Sequence, residues 1–261
     1  MYYSFMSSCI VQYFSFRGKV SLLRRIFVCA ASVFAIVSCA SQGGGASGES
    51  YDTAKVYLTQ QGPVPGKSGD FWNGLAGTIV DKRPWVGTAE DANGVFYLAA
   101  DEKYLYLRAE IHDNAPQARP MDMEIGQSWN GTSLQLFFGT KTSRHSEYEE
   151  GDSGLSLWVI DDSDAGKQVL VSSNGRLLND RQHKGAVIEW AEDSYTLEAC
   201  FSLDAMGIYK PLKAGQKVRC EFRINHAKLE EPRTVIVNWR TPTDDAWKNP
   251  NTWSDGIVIK K

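Results

Sequence analysis

From Tyr51 onward, apolar residues recur at every second position in short runs. The clearest run has Leu105, Leu107, Ala109 and Ile111 alternating with Tyr104, Tyr106, Arg108 and Glu110. Successive side chains of a strand point to opposite faces, so this pattern predicts a half-buried β-strand. Similar runs cover 95–99, 134–138, 155–160, 169–172, 186–190, 195–203, 217–226, 234–240 and 256–260. No window sustains a helical period beyond about two turns, although 203–208 suits one short turn. Gly, Asp, Asn and Pro clusters join the runs. Asp101-Glu102-Lys103 predicts a tight hairpin connection, and the polar stretches 139–154 and 174–185 predict long surface loops. Many short, closely spaced strands predict an all-β fold, an antiparallel β-sandwich of jelly-roll or immunoglobulin-like type.

The pattern ahead of residue 51 is different. Arg24-Arg25 precedes an apolar stretch, 26–37, then Cys39 and a Gly/Ser-rich segment, 40–50. A basic region, about 7–15 apolar residues and a small-residue cut make a secretion signal. The stretch is too short for the roughly 20 residues of a spanning helix. A cysteine just after the cut resembles a bacterial lipoprotein signal. That resemblance implies a signal peptide over 1–38, an acylated Cys39 as the first mature residue, a flexible tether over 39–50 and a folded module over 51–261. It also implies a membrane partner reached through the lipid anchor, in the bacterial cell envelope, periplasmic or surface-exposed. A cleaved signal without lipid and a plain membrane anchor are the alternatives. The apolar residues before Arg24 (Tyr2, Tyr3, Phe5, Tyr13, Phe14, Phe16) fit a start at Met6 or later.

The chain carries 28 Lys and Arg against 31 Asp and Glu. Four of the basic residues (Arg17, Lys19, Arg24, Arg25) and none of the acids precede Cys39, which leaves 24 against 31 and a balance of −7 for the remainder. Nucleic-acid affinity rests on clustered Lys and Arg, so a nucleic-acid partner is not expected. Of the five cysteines, Cys200 and Cys220 lie in the module. Cys200 alternates with the apolar face of its run and Cys220 lies on the apolar face of its own, so two free thiols are predicted.

The order of several motifs resembles the family 9 carbohydrate-binding modules and their wider superfamily. These motifs are Gly66-Lys67-Ser68-Gly69-Asp70-Phe71-Trp72, Asp101-Glu102-Lys103-Tyr104-Leu105-Tyr106, Trp129-Asn130-Gly131-Thr132-Ser133-Leu134-Gln135-Leu136-Phe137, Tyr195-Thr196-Leu197-Glu198-Ala199, Asn238-Trp239-Arg240-Thr241-Pro242, Ala246-Trp247-Lys248-Asn249-Pro250 and Gly256-Ile257-Val258-Ile259. The resemblance spans about Val64 to Lys261. It implies a carbohydrate ligand clamped between two tryptophans, which fall here on Trp129 and Trp247, with Gln135 and Asn249 hydrogen-bonding it. A pyranose face of C–H groups suits the negative face of an aromatic ring, and both residues sit in predicted loops, where binding residues concentrate. Where the family places a carboxylate this chain has Gln135, and the preceding aspartate becomes Thr132. The family's arginine and asparagine on the next strand align with Trp158 and Ile160. His226 follows Asn225 where the family shows aspartate and reads as a polar contact near the site. Trp72, Trp190 and Trp239 read as structural; Trp85 and Trp253 are open. The family also holds structural calcium, which stays open here: Asp161-Asp162-Ser163-Asp164 lacks the spacing and closing glutamate of an EF-hand and reads as a solvated acidic turn.

No catalytic constellation is found. Gly151-Asp152-Ser153-Gly154 resembles a serine-protease nucleophile segment, but its fifth residue is wrong and no matching histidine segment precedes it. The four histidines have no metal-ligand spacing, and Glu149-Glu150 has nothing to set a glycosidase acid pair. The expectation is therefore a membrane-anchored, non-catalytic carbohydrate-binding lipoprotein with no certain cofactor. The alternatives are a structural or protein-binding surface lipoprotein on the same sandwich, and a haem-binding electron-transfer relative using Met121 and Met123 with a histidine.

Overall fold

The structure, a computed structural model, describes residues 53–82, 91–120, 127, 130–162, 166–227 and 233–261. Residues 1–52 with Cys39, and Trp85, Met121, Met123 and Trp129, lie outside the described residues. The strands are β1 (Ala54–Leu58), β2 (Thr78–Val80), β3 (Ala92–Ala100), β4 (Tyr104–Asp113), β5 (Arg119–Pro120), β6 (Ser133–Gly139), β7 (Asp152–Asp162), β8 (Gly166–Ser173), β9 (Arg176–Leu177), β10 (His183–Trp190), β11 (Ser194–Ser202), β12 (Lys217–Ala227), β13 (Arg233–Asn238) and β14 (Ser254–Lys260). Every run predicted from alternation is a strand, and the predicted short turn is the 3-10 turn Asp204–Met206. The Asp101 hairpin also forms: its carboxylate accepts the N–H groups of Lys103 and Tyr104, both at 2.8 Å.

The strand order is β10-β11-β4-β3-β1-β14-β12-β6-β7-β8-β9, with β13 on β12, β2 on β3 and β5 on β7. This long sheet curls into two layers, so that β10 meets β8 and β3 faces β12. Pairing is antiparallel except at β1, parallel to both β3 and β14, and at β5, parallel to β7. The β1 sequence alternates Ala54, Val56 and Leu58 with Lys55 and Tyr57, but over only five residues, and is not among the predicted runs. Val56 joins the main core and Tyr57 a second cluster behind the sheet.

Alternation decides what enters the core. Leu105, Leu107, Ala109 and Ile111 of β4 meet Leu134, Leu136 and Phe138 of β6 and Val218, Cys220, Phe222 and Ile224 of β12 in one cluster. Phe96 packs on Phe222 with ring centroids 5.0 Å apart, and Trp239 packs edge-on against Phe222 at 5.7 Å. Each such side chain contributes roughly 1.5–3 kcal/mol on burial. Behind the first layer, Tyr57, Trp72, Ala99, Tyr106 and Cys200 form the second cluster under the segment between β1 and β2. That segment passes so close that a Cβ on Gly62 would lie 2.1 Å from the Tyr106 ring.

Both cysteines are free and buried, on opposite faces of their strands. Burial pushes the Cys200 thiol up to about 12 and the Cys220 thiol up as well. Neither is nucleophilic while folded, because the thiolate is the reactive form.

Candidate functional site

The outward face of the second layer is polar by register. Cross-strand pairing places Asn238, Arg223, Gln135, Ser156 and Ser172 side by side on β13, β12, β6, β7 and β8. Arg223 Nε donates to Asn238 Oδ1 at 2.9 Å, and its Nη1 donates to Gln135 Oε1 at 3.4 Å. Gln135 Nε2 donates to Ser156 Oγ at 3.2 Å. Asn225 in the adjacent row donates to Ser133 Oγ at 3.1 Å and to Gln135 Oε1 at 3.4 Å. The amide of Gln135 is thus fixed in orientation.

The segment leaving β13 arches over this row and is tied to it at both ends. Buried Glu221 accepts the N–H groups of Trp239, Arg240 and Thr241 at 2.8, 2.9 and 3.0 Å. Asn238 Nδ2 donates to the carbonyls of Thr241 and Thr243 at 2.8 and 2.9 Å. Asp244 Oδ1 accepts from Arg223 Nη1 at 2.6 Å. The 3-10 turn Asp245–Trp247 follows, with Ala246 buried and the Trp247 indole 55% exposed. Lys248 Nζ lies 5.7 Å from the Trp247 ring centroid and 2.9 Å from Asp245 Oδ1. Farther along, Trp253 stacks on Phe137 (6.0 Å, 28°) and donates from Nε1 to Ala246 O at 2.8 Å.

Gln135 is therefore linked through Arg223 and Asp244 to the segment that carries Trp247. Asn249 lies in the same segment, but its Oδ1 accepts Asn251 N–H at 3.1 Å and caps the 3-10 turn Pro250–Thr252. Trp129 is outside the described residues. Its neighbours Gln127 and Asn130 close a turn (Asn130 N–H to Gln127 O, 2.8 Å) just before β6. Trp158 and Ile160 do point outward from β7 but are buried, at 1% and 0% exposure. Trp72, Trp239 and Trp253 are also buried, and Trp190 is partly buried against the core. Sequence reasoning missed Arg223, Asn238 and Ser156. Their outward parity was legible, but the strand register that sets them beside Gln135 was not.

His226 is corrected. It does not reach this face. As an even-numbered residue of β12 it points into the core, where Nδ1 lies 2.8 Å from Asp113 Oδ1 with both side chains fully buried. The protease-like segment forms no triad: Ser153 Oγ is bonded to Ser173 Oγ at 2.9 Å, while Asp152 pairs with His145. Among the described residues no group of three or more His, Cys, Asp or Glu side chains could hold a metal, so no calcium chemistry is assigned to them.

A second loop, 140–151, braces the first. Arg144 Nη1 donates to Asn251 O at 2.6 Å, and buried Arg219 donates to the same carbonyl at 3.1 Å. His145 Nε2 holds this loop to Asp152 Oδ2 at 2.6 Å. Partial burial opposes the imidazolium, but the Asp152 hydrogen bond, with help from the Ser143 carbonyl, raises His145 above its ordinary 6.5. A raised histidine stabilises below its unfolded pKa, and that contribution is lost as pH rises through the folded value. Hydrogen exchange should therefore show the amides of 140–151 well protected near pH 6 and opening faster toward pH 8, beyond the intrinsic rate increase. His145→Gln should remove the pH dependence.

Comparison with known proteins places these features. The profile described as carbohydrate family 9 binding domain-like matches residues 64–260. Endo-1,4-beta-xylanase A of Thermotoga neapolitana is 22% identical over 200 residues, covering 76% of this chain and 17% of that protein. Exoglucanase XynX of Acetivibrio thermocellus is 21% identical over 201 residues, covering 76% and 16%. The chain thus spans about a sixth of these relatives' length. Among solved structures, a family 9 carbohydrate-binding module from Caldicellulosiruptor kristjanssonii in complex with glucose superposes with TM-score 0.59 at 20% identity, covering 79% of this chain and 96% of that one. The same organism's module in complex with cellotriose gives 0.60 at 19%, covering 80% and 95%. With the two-layer β-fold and the motif order in agreement with a profile that matches most of its length, this chain belongs to the carbohydrate family 9 binding domain-like family.

Proposed function

We propose that the protein is a non-catalytic carbohydrate-binding lipoprotein, anchored in the bacterial cell envelope through an acylated Cys39, that holds glycan with the face built on Gln135 and Trp247. The observation that carries this reading is the exposure of Trp247. A large indole, 55% exposed, stands on a segment otherwise fixed by Glu221, Asn238, Arg223 and Trp253. An apolar surface presented to water on a rigid support suits the C–H face of a sugar, and the support is ordered before the ligand arrives. Gln135 and Asp244 supply a donor and an acceptor to the ring hydroxyls. Trp129 is assigned the second ring of the clamp by its motif position alone. Family membership and the glucose and cellotriose complexes of similar modules support the ligand class.

Isothermal titration of the protein against glucose, xylose, cellobiose and cellotriose tests the reading. Trp247→Ala is expected to weaken the best ligand by about 2 kcal/mol, roughly thirtyfold, the size of a tryptophan hot spot. Trp129→Ala should match it. Silence across the panel leaves the structural or protein-binding alternative, and full affinity in both variants refutes the two-tryptophan site. Metabolic labelling with palmitate tests the anchor: label lost in Cys39→Ser is expected, and label retained refutes lipidation there.

A further inference from the structure

The outward face of the other layer carries a cleft of about 230 Å3 between the 66–69 turn and strands β4, β10 and β11. It lies on the reverse of the sandwich from Trp247, since Glu198 and Arg108 alternate with the core residues Leu197, Ala199, Leu107 and Ala109. Its back wall is organised in advance. Glu198, 7% exposed, accepts from Gly66 N at 2.9 Å, Ser68 Oγ at 2.5 Å and Arg108 Nη1 at 2.8 Å. Arg108 Nε is held by Glu110 at 2.9 Å. Gly66, at φ 73°, brings the turn so close to β10 that a Cβ there would press on Val187 at 3.3 Å. The open side is formed by Lys67, Thr196, the exposed Glu189 and the half-exposed Val187.

From this geometry we infer a second saccharide subsite that binds one sugar ring by hydrogen bonding rather than aromatic stacking. The volume falls below the roughly 300–1,000 Å3 of sites for drug-sized ligands and suits a single ring. The lining charges cancel, with Lys67 and Arg108 against Glu189 and Glu198. A neutral ligand is therefore favoured over an ion. Ammonium and guanidinium donors, an accepting carboxylate and the Thr196 hydroxyl offer the mixed partners that a polyol needs, and Val187 gives one apolar wall for ring C–H groups. The pre-bonded Glu198 and Arg108 need little ordering on binding, which lowers the cost of a small contact. With no ring to stack on, affinity is at least tenfold weaker than at Trp247. Sites on opposite faces let one anchored molecule hold two glycan strands, a gain in avidity that needs no strong second site. The inference rests on the carbohydrate reading for its ligand class.

Amide and indole NMR of the 15N-labelled full chain, titrated with glucose, xylose and cellobiose, tests both sites separately. Saturable shifts at Gly66, Ser68, Gly69 and Val187 are expected at millimolar sugar. They should persist in Trp247→Ala and weaken at least tenfold in the double variant Glu189→Ala, Thr196→Ala, whose Trp247 indole still titrates as before. Static cleft amides beside a titrating Trp247 overturn this inference and leave the proposed function standing, and cleft shifts unchanged in the double variant overturn it equally. Moving cleft amides with a silent Trp247 sustain the subsite and sink the Trp247 site. Silence at both sinks both.

Discussion

Replacing Glu221 with alanine is expected to cost about 3 kcal/mol of stability, the size of a broken buried hydrogen-bond network, and to abolish with it the saccharide binding proposed for the Trp247 face. The carboxylate is fully buried and takes the N–H groups of three consecutive residues, Trp239, Arg240 and Thr241, together with Thr241 Oγ1 at 2.9 Å. Bonds to a charged acceptor are worth roughly 1.5–3 kcal/mol each, and each buried donor left without an acceptor costs about 1–3 kcal/mol, without simple additivity; Trp239 N–H keeps Phe222 O at 3.0 Å, so the Arg240 and Thr241 N–H groups carry the loss. The chain turns away from β13 at these residues, so their donors aim the whole Trp247 segment. Glu221→Gln should be nearly as damaging, because its NH2 group faces donors and not acceptors. Urea denaturation gives the stability change, and sugar titration under conditions where the variant remains folded gives the binding loss. A midpoint shift equivalent to less than about 1 kcal/mol would mean that Glu221 does not hold this segment.

Alternation alone placed the strands from β3 to β14 that have one face toward the core, because a half-buried strand records its environment at every second residue. It missed the five-residue β1, the three-residue β2 and the two-residue strands β5 and β9, which are too short to carry a clear period. At the site, Trp247 was legible as an aromatic in a polar loop and Gln135 as an outward position on an apolar strand. Arg223 was not, since an outward arginine in Val-Arg-Cys-Glu-Phe-Arg-Ile looks like a solvated charge. Only the pairing of β12 with β6 puts it, 1% exposed, between Gln135 and Asp244. Asn249 shows the opposite case: a polar residue beside an exposed tryptophan suggested a ligand contact, yet its side-chain oxygen is engaged in capping a local turn. The parity of 217–226 already turned His226 inward, while the motif position suggested the site, and parity prevailed.

That inward histidine sets the second large effect. His226→Ala is expected to destabilise by about 3–5 kcal/mol, the cost of removing one partner from a buried pair. His226 and Asp113 come from β12 and β4, in opposite layers, and meet at 2.8 Å with no solvent exposure. The imidazole Nδ1 bridges the layers whether it donates as the neutral ring or as imidazolium. Asp113 Oδ1 also accepts Ala115 N–H at 3.1 Å, whereas Asp113 Oδ2, His226 Nε2 and the nearby Tyr195 hydroxyl are buried without hydrogen-bond partners among the described residues. Burial and the neighbouring Asp113 both push the Tyr195 phenol well above its usual range, so this hydroxyl stays protonated. Two unsatisfied atoms of its own and the Tyr195 hydroxyl beside them, against only two hydrogen bonds, make the pair a poor net stabiliser: the desolvation it carries is large and only partly offset. Loss of one partner and loss of both should therefore differ sharply. His226→Ala strands the Asp113 carboxyl in the core. The double replacement Asp113→Leu, His226→Leu removes both desolvated groups, fills the space, and should recover most of the single variant's loss. A double variant no more stable than His226→Ala would show instead that the pair, with its unfilled valences, is a net contributor to joining the layers.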